Sequence, residues 1–139
     1  MVKPRFFPIT LLVLMLDQLT KYLANWLVTP IAIIPGFLSL TTLHNYGAGF
    51  GILQGQIWLL TWVSVIVIGF ILYSYEEILR KRMIVGASLV LAGVLGNLID
   101  RVFFGYVVDF ISFSFWPAFN VADSAITIGV IILVIQSQK

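Results

Sequence analysis

Gly96-Asn97-Leu98-Ile99-Asp100-Arg101, then Val108-Asp109-Phe110, then Phe119-Asn120-Val121-Ala122-Asp123, form the stretch that organises this chain. It sets three of the four aspartates, two asparagines and an arginine among Leu, Ile, Val, Phe and Gly. Ionisable side chains inside apolar segments are costly unless paired, so they are functional-site candidates by default. Carboxylates that can converge are also the raw material of acid–base hydrolysis.

The rest of the chain says what surrounds this cluster. Of 139 residues, 60% are hydrophobic and only 10% charged, and the mean hydropathy is +1.06. A soluble domain carries about 25% charged residues, so this surface belongs in lipid. The length allows a single membrane domain, residues 1–139. With no cysteine, neither a disulfide nor a thiol nucleophile is available. A formal charge of +2 is too small to suggest nucleic acid as a partner. Lys3 and Arg5 before an apolar run imitate a secretory leader, but the run passes through Asp17 and Lys21 without a small-residue cleavage site and is expected to be retained as a helix.

Four apolar segments emerge, at about 6–28, 56–75, 83–103 and 118–136. Each is close to the roughly 20 residues that cross about 30 Å of hydrocarbon as helix. The expected fold is therefore an all-α integral membrane protein with four transmembrane helices. Lys3 and Arg5 precede the first segment, Arg80-Lys81-Arg82 separate the second from the third, and Lys139 ends the chain. The loops 29–55 and 104–117 hold no Lys or Arg, so both termini are expected in the cytoplasm and these two loops outside.

The first outer loop has structure of its own. Ile31-Ala32-Ile33-Ile34, a Pro35-Gly36 turn and Phe37 to His44 predict a small extracytoplasmic β-hairpin. Asn45 to Gly51 follows, with Gly47, Gly49 and Gly51 at every second position, and is expected to act as a lid that swings Phe50 onto substrate. The second outer loop carries Phe110, Phe113, Phe115 and Trp116, a pattern expected of an interfacial aromatic belt.

Asp17 and Lys21 lie at i and i+4, and pairing lets them tolerate the bilayer as a structural couple. Asn97, Asp100 and Arg101 fall at i, i+3 and i+4; the bland alternative is an Asp100–Arg101 ion pair at a helix end. Asn120 and Asp123 begin the last helix, where both also suit N-terminal capping. Because the third helix ends outside and the fourth begins there, Asp100, Asp109 and Asp123 can approach one another. Other chemistries fall away by inventory. One histidine, His44, and no HExxH motif argue against a zinc peptidase, and chemistry on a carboxylate pair requires no metal. No glycine stretch matches a phosphate loop, and a Ser–Lys dyad would need Lys21, which Asp17 occupies.

Five motifs now stand in order: Asp17-Gln18-Leu19-Thr20-Lys21, Asn45-Tyr46-Gly47-Ala48-Gly49-Phe50, Gly96 to Arg101, Val108-Asp109-Phe110 and Phe119 to Asp123. Together they resemble the bacterial lipoprotein signal peptidases, signal peptidase II. The resemblance implies an inner-membrane aspartyl endopeptidase, its active site at the extracytoplasmic face. Such an enzyme removes the signal peptide from prolipoproteins immediately before a cysteine already carrying diacylglycerol. It implies no cofactor, membrane lipids as surroundings, the peptide inhibitor globomycin as a ligand, and a monomer. Matched motif by motif, the catalytic pair falls on Asp109 and Asp123. Asn45, Gly47, Phe50, Asn97, Asp100, Arg101 and Asn120 then support substrate or dyad, and Asp17 and Lys21 are structural. Two departures from the family pattern are Gly49, where alanine is more usual, and a short segment between Asp109 and Asp123.

Residue chemistry alone leaves Asp100 and Asp109 as rivals. Arg101 next door can hold Asp100 ionised, whereas Val107, Val108, Phe110 and Ile111 flank Asp109. An apolar setting beside a second carboxylate raises a carboxyl pKa and lets two groups share a proton, as a dyad requires. The alternative function is a membrane proton or ion relay, or a lipid-binding scaffold, built on the same carboxylates. A relay needs polar groups through the whole membrane thickness, and this chain gathers them at one interface.

Overall fold

The computed structural model describes residues 5–48 and 52–138. In chain order it contains α1 (Phe6–Ala24), β1 (Ile31–Ile34), β2 (Leu38–Asn45), α2 (Ile57–Tyr73), α3 (Tyr75–Arg80), α4 (Ile84–Phe104), β3 (Val107–Phe113), β4 (Trp116–Phe119) and α5 (Val121–Ser137). Four of the five helices coincide with the four apolar segments. The fifth, α3, is a six-residue turn of helix continuing from α2 into the basic loop.

Helix α4 is the centre of the bundle and packs against α1, α2 and α5. Small residues make that possible. A Cβ on Gly86 would press on Leu133 and the Gly129 carbonyl, and one on Gly93 would run into the Ala122 carbonyl of α5. Backbone cannot swing aside as a side chain can, and overpacking costs about 1–3 kcal/mol. Gly93→Ala is therefore expected to lower the thermal midpoint of the purified chain by several degrees. Gly69→Ala is the control: a Cβ on this exposed glycine of α2 would meet nothing, so its midpoint should hold or rise slightly. An unchanged midpoint in Gly93→Ala would show that α4 and α5 can part without loss.

Away from α4 the helices present apolar residues outward: Leu11, Leu12 and Met15 on α1, Trp62, Ile66 and Phe70 on α2, Ile131, Val134 and Ile135 on α5. A continuous apolar surface of this kind is suited to lipid, not to water. Helices α1 and α4, at 19 and 21 residues, are long enough to cross a membrane. Helices α2 and α5 have 17 residues each, or roughly 26 Å at 1.5 Å per residue.

The sheet corrects the all-α expectation. The hairpin in the first outer loop is present, but it is half of a four-stranded antiparallel sheet in the order β1-β2-β3-β4. Its other half comes from the second outer loop, which pairs as strand where a plain aromatic belt was expected. Strands β2 and β3 align Leu38 with Phe113 and Asn45 with Val107, with a bulge between Leu40 and Leu43. Aromatic rings hold the outer end: Phe113 lies 5.5 Å from Phe37, 5.7 Å from Phe115 and 6.0 Å from Phe119 between ring centres.

The helix ends also move. Helix α1 stops at Ala24 instead of 28, and Thr42 Oγ1 of β2 donates to the Ala24 carbonyl at 2.5 Å. Helix α5 starts at Val121 instead of 118, because residues 118–119 belong to β4 and Asn120 is the cap. Helix α4 ends at Gly105, whose φ of +75° is the left-handed conformation that closes helices and that side chains resist. That turn sends the chain directly into β3.

Candidate active site

Asp109 lies in the middle of β3, and its neighbours Val107, Val108 and Phe110 are buried with it. In the register, Asp109 faces Leu43, so Asn45 is its diagonal neighbour on the same face of β2. Asn45 Nδ2 donates to Asp109 Oδ2 at 2.9 Å, and Asn45 Oδ1 accepts from the Gly47 backbone N–H at 2.9 Å. From the other side, Asn120 Nδ2 donates to Asp109 Oδ1 at 2.8 Å. The carboxyl is 3% exposed. Burial pushes its pKa up to about 7, helped by the charge of Asp123, while the Asn45 bond, the Lys21 charge and the Asn120 bond act the opposite way.

Asp123 occupies the first turn of α5. It closes a reciprocal cap: its backbone N–H donates to Asn120 Oδ1 at 2.9 Å, and the Asn120 backbone N–H donates back to Asp123 Oδ2 at 3.3 Å. Its Oδ1 accepts from Asn97 Nδ2 of α4 at 2.8 Å. Capping and the chemical role thus coexist in one side chain. Asp109 and Asp123 line one cavity of about 260 Å³, together with Asn45, Asn97, Arg101 and Trp116. A second cavity shares Trp116, Phe119, Asp123 and Thr127 with the first and is further lined by Ser124 and Ile128.

Asp100 is not part of that cavity lining. Only 1% exposed, it accepts from Lys21 Nζ at 3.0 Å, from the Val108 backbone N–H at 3.1 Å and from Gln18 Nε2 at 3.2 Å. It clamps α1, α4 and β3 together. The bland alternative, an Asp100–Arg101 ion pair, is absent among the described residues: consecutive helical residues point some 100° apart, and Lys21 takes the carboxylate. Lys21 is likewise more than half of a couple with Asp17: it bridges Asp17 Oδ2 at 2.9 Å and Asp100 at 3.0 Å. Asp17 Oδ1 in turn accepts the Ala122 backbone N–H of α5 at 2.8 Å. Arg101 faces the cavity, and its buried Nε has no hydrogen-bond partner among the described residues.

Of the residues singled out from the sequence, Asn45, Gly47, Asn97, Arg101, Asp109 and Asp123 share the cavity. Asn120 lies directly beneath it, and Asp17, Lys21 and Asp100 form the buried layer under that. Phe50, Gly49 and Gly51, on which the lid expectation rests, lie outside the described residues. Gly47 is described and tightly fitted: a Cβ there would meet the Ile52 carbonyl and Gln54 at 2.9 Å. Sequence reasoning noted Gln18 as a polar interruption of the first helix without giving it a role, and did not single out Thr127. Gln18 Nε2 donates to Asp100 and to the Gly96 carbonyl, both at 3.2 Å; Thr127 carried no signal in the sequence.

The comparisons with known proteins agree with one another. The family model of signal peptidase II, Peptidase_A8, matches residues 9–139. The lipoprotein signal peptidase of Moorella thermoacetica is 45% identical over 133 residues, covering 92% of this chain and 89% of that protein. That of Streptococcus agalactiae is 44% identical over 141 residues, covering 94% and 90%. Two solved bacterial membrane enzymes, each 36% identical, superpose with TM-scores of 0.88 and 0.86 and cover 96% and 99% of this chain. With the bundle, the sheet and the buried carboxylates already in place, these likenesses show that the chain belongs to the signal peptidase II family of aspartic-type membrane peptidases.

Proposed function

We propose that this chain removes the signal peptide from diacylglyceryl-modified prolipoproteins, cleaving before the lipidated cysteine with water activated by Asp109 and Asp123. The observation that carries this reading is the shared cavity. Two carboxyls from different elements line it, each held by asparagine donors, and one has a pKa of about 7. A pair that shares one proton supplies a base for the water and an acid for the departing amine. Asn45, Asn97 and Asn120 orient the pair, and Arg101 is placed to meet a peptide carbonyl or the lipid ester. Gly47 and Phe50 belong to the loop that would cover substrate.

The site is proposed to lie at the extracytoplasmic face of the bacterial inner membrane, with α1, α2, α4 and α5 as four spans, both termini in the cytoplasm, and the chain active as a monomer. Arg80, Lys81 and Arg82 at the opposite end of the bundle support that orientation. Globomycin is expected to bind in the cavity. A relay is disfavoured because the buried charges gather at one end of the bundle.

The test is incubation of the purified chain in lipid with a diacylglyceryl-modified prolipoprotein, read as a gel shift. Absence of the shifted band would overturn the reading. The same assay checks the proton count. Burial and the neighbouring Asp123 raise the Asp109 pKa to about 7, so Asp109 keeps its proton below that pH and loses it above. Cleavage should fall as pH rises through about 7. Asn45→Ala removes a bond that lowers the Asp109 pKa, so its alkaline limb should move upward; a limb that stays put would remove Asn45 from the pair's control.

A further inference from the structure

Lys21 has one bond too many for a charge-balancing residue. It is 3% exposed, and Asp17 and Asp100 already more than neutralise it at 2.9 and 3.0 Å. Its third partner is neutral: Lys21 Nζ donates to Asn97 Oδ1 at 3.0 Å. An ammonium can only donate, so the oxygen of the Asn97 amide must face Lys21. The nitrogen is then turned away from Lys21 and onto Asp123 Oδ1, at 2.8 Å. Asn120 runs in the same sense. Its oxygen is taken by the Asp123 backbone N–H, and its nitrogen reaches Asp109 Oδ1 at 2.8 Å and Asn97 Oδ1 at 3.3 Å. Two amides that could each point either way are thus given one direction, and both deliver N–H groups to the carboxyl pair.

We propose that Lys21 is a positioning residue for hydrolysis: by fixing the direction of the Asn97 amide, it holds Asp123 as a hydrogen-bond acceptor beside Asp109. The inference rests on that pair being the reacting one. The charged groups around the pair are Asp17 and Lys21 on α1 and Asp100 and Arg101 on α4. The residue that β2 directs at the pair, Asn45, is uncharged, and His44 beside it is stacked on Tyr106 at 4.0 Å. Lys21 is thus the buried cation bonded directly to an amide that reaches the pair, and its charge acts to lower the Asp109 pKa.

Lys21→Met alone strands two buried carboxylates and risks the fold. The informative variant is Lys21→Met with Asp17→Asn, which removes one charge of each sign and leaves an oxygen for the Ala122 N–H. Steady-state cleavage of a diacylglyceryl-modified prolipoprotein peptide, followed against pH in lipid, should show KM little changed. The kcat should be down at least ~10-fold, short of the ~10²–10⁴ that loss of an acid or base brings. The alkaline limb should move up, because the Lys21 charge acts to lower the Asp109 pKa. Parental kcat and limb in the folded double variant would overturn the proposal, and so would a lowered kcat with an unmoved limb, since packing alone gives that result. Asn97→Leu leaves Asp17, Lys21 and Asp100 paired and cuts the same chain at its other end, so it decides the matter if the double variant does not fold. Here too a lowered kcat with a raised limb is expected, and parental behaviour refutes it. Asp109→Asn in the same assay separates the two readings: if it still turns over, the pair is wrong and not merely the role of Lys21.

Discussion

Asp109→Asn and Asp123→Asn are each expected to abolish cleavage, by ~10²–10⁴-fold, in a chain that remains folded. The substitutions keep shape and remove the charge that an acid–base pair needs. Each leaves one amide nitrogen facing a former donor, Asn45 or Asn120 at position 109 and Asn97 or the Asn120 backbone at position 123. Such a mismatch costs about 1–3 kcal/mol, enough to show as a lowered thermal midpoint and too little to unfold the bundle. Asp100→Asn is the informative contrast. It weakens the hold on Lys21 and on the Val108 N–H, so stability should fall while turnover persists in the molecules that stay folded. Substantial turnover by either dyad variant would rule out the pair. If Asp100→Asn alone is dead and Asp109→Asn works, the reacting pair is Asp100 with Asp123.

A precursor lacking the diacylglyceryl group is expected to be cleaved at least ~10²-fold more slowly than the modified one at equal concentration. The two cavities meet at Asp123, and the second opens along α5 between Trp116, Phe119, Thr127 and Ile128, on the apolar outside of the bundle. Around them, Phe37, Phe115 and Trp116 are exposed at the outer edge of the sheet, a position suited to the interface between lipid and water. A substrate must be held at that depth for its peptide bond to reach the pair. One acyl chain binds a bilayer only marginally, at about 0.8 kcal/mol per buried CH₂, and two chains anchor it firmly. The measurement is the ratio of initial rates for modified and unmodified precursor in the same vesicles. Equal rates would show that the signal peptide alone supplies the depth.

How much of this was legible beforehand depended on whether the information was local. Apolar runs flanked by basic residues located the helices to within a few residues, since length and hydropathy are properties of the segment itself. The Pro35-Gly36 turn between β-formers likewise announced β1 and β2. The second half of the sheet was missed because Val107–Phe113 and Trp116–Phe119 are a buried strand and a short edge strand, apolar on both sides, which composition cannot distinguish from an interfacial loop. The partner of β3 on its other side, β2, lies more than sixty residues earlier. The polar cluster could be found from its cost in an apolar setting, but its wiring could not. Lys21 to Asp17 is a one-turn relation and was read correctly; Lys21 to Asp100 and to Asn97 depends on which helices touch. At Asp100 and Arg101 adjacency offered the bland reading of a helix-end pair, and the structure gives the Asp100 carboxylate to Lys21 instead.

The neighbours of α1 carry a consequence for biosynthesis. This first helix packs on α4 and α5, both made much later, and β2 likewise waits for β3. A nascent chain that has produced only α1 and α2 therefore holds Lys21 against Asp17 alone, an internal couple that makes insertion tolerable. The Asp100 bridge, the Asn97 contact and the pairing of β3 with β2 all form when the second half of the chain arrives. Contacts between distant parts of a chain form late because the closure entropy must be met first. The buried polar layer and the carboxyl pair above it are consequently the last parts of the structure to come together.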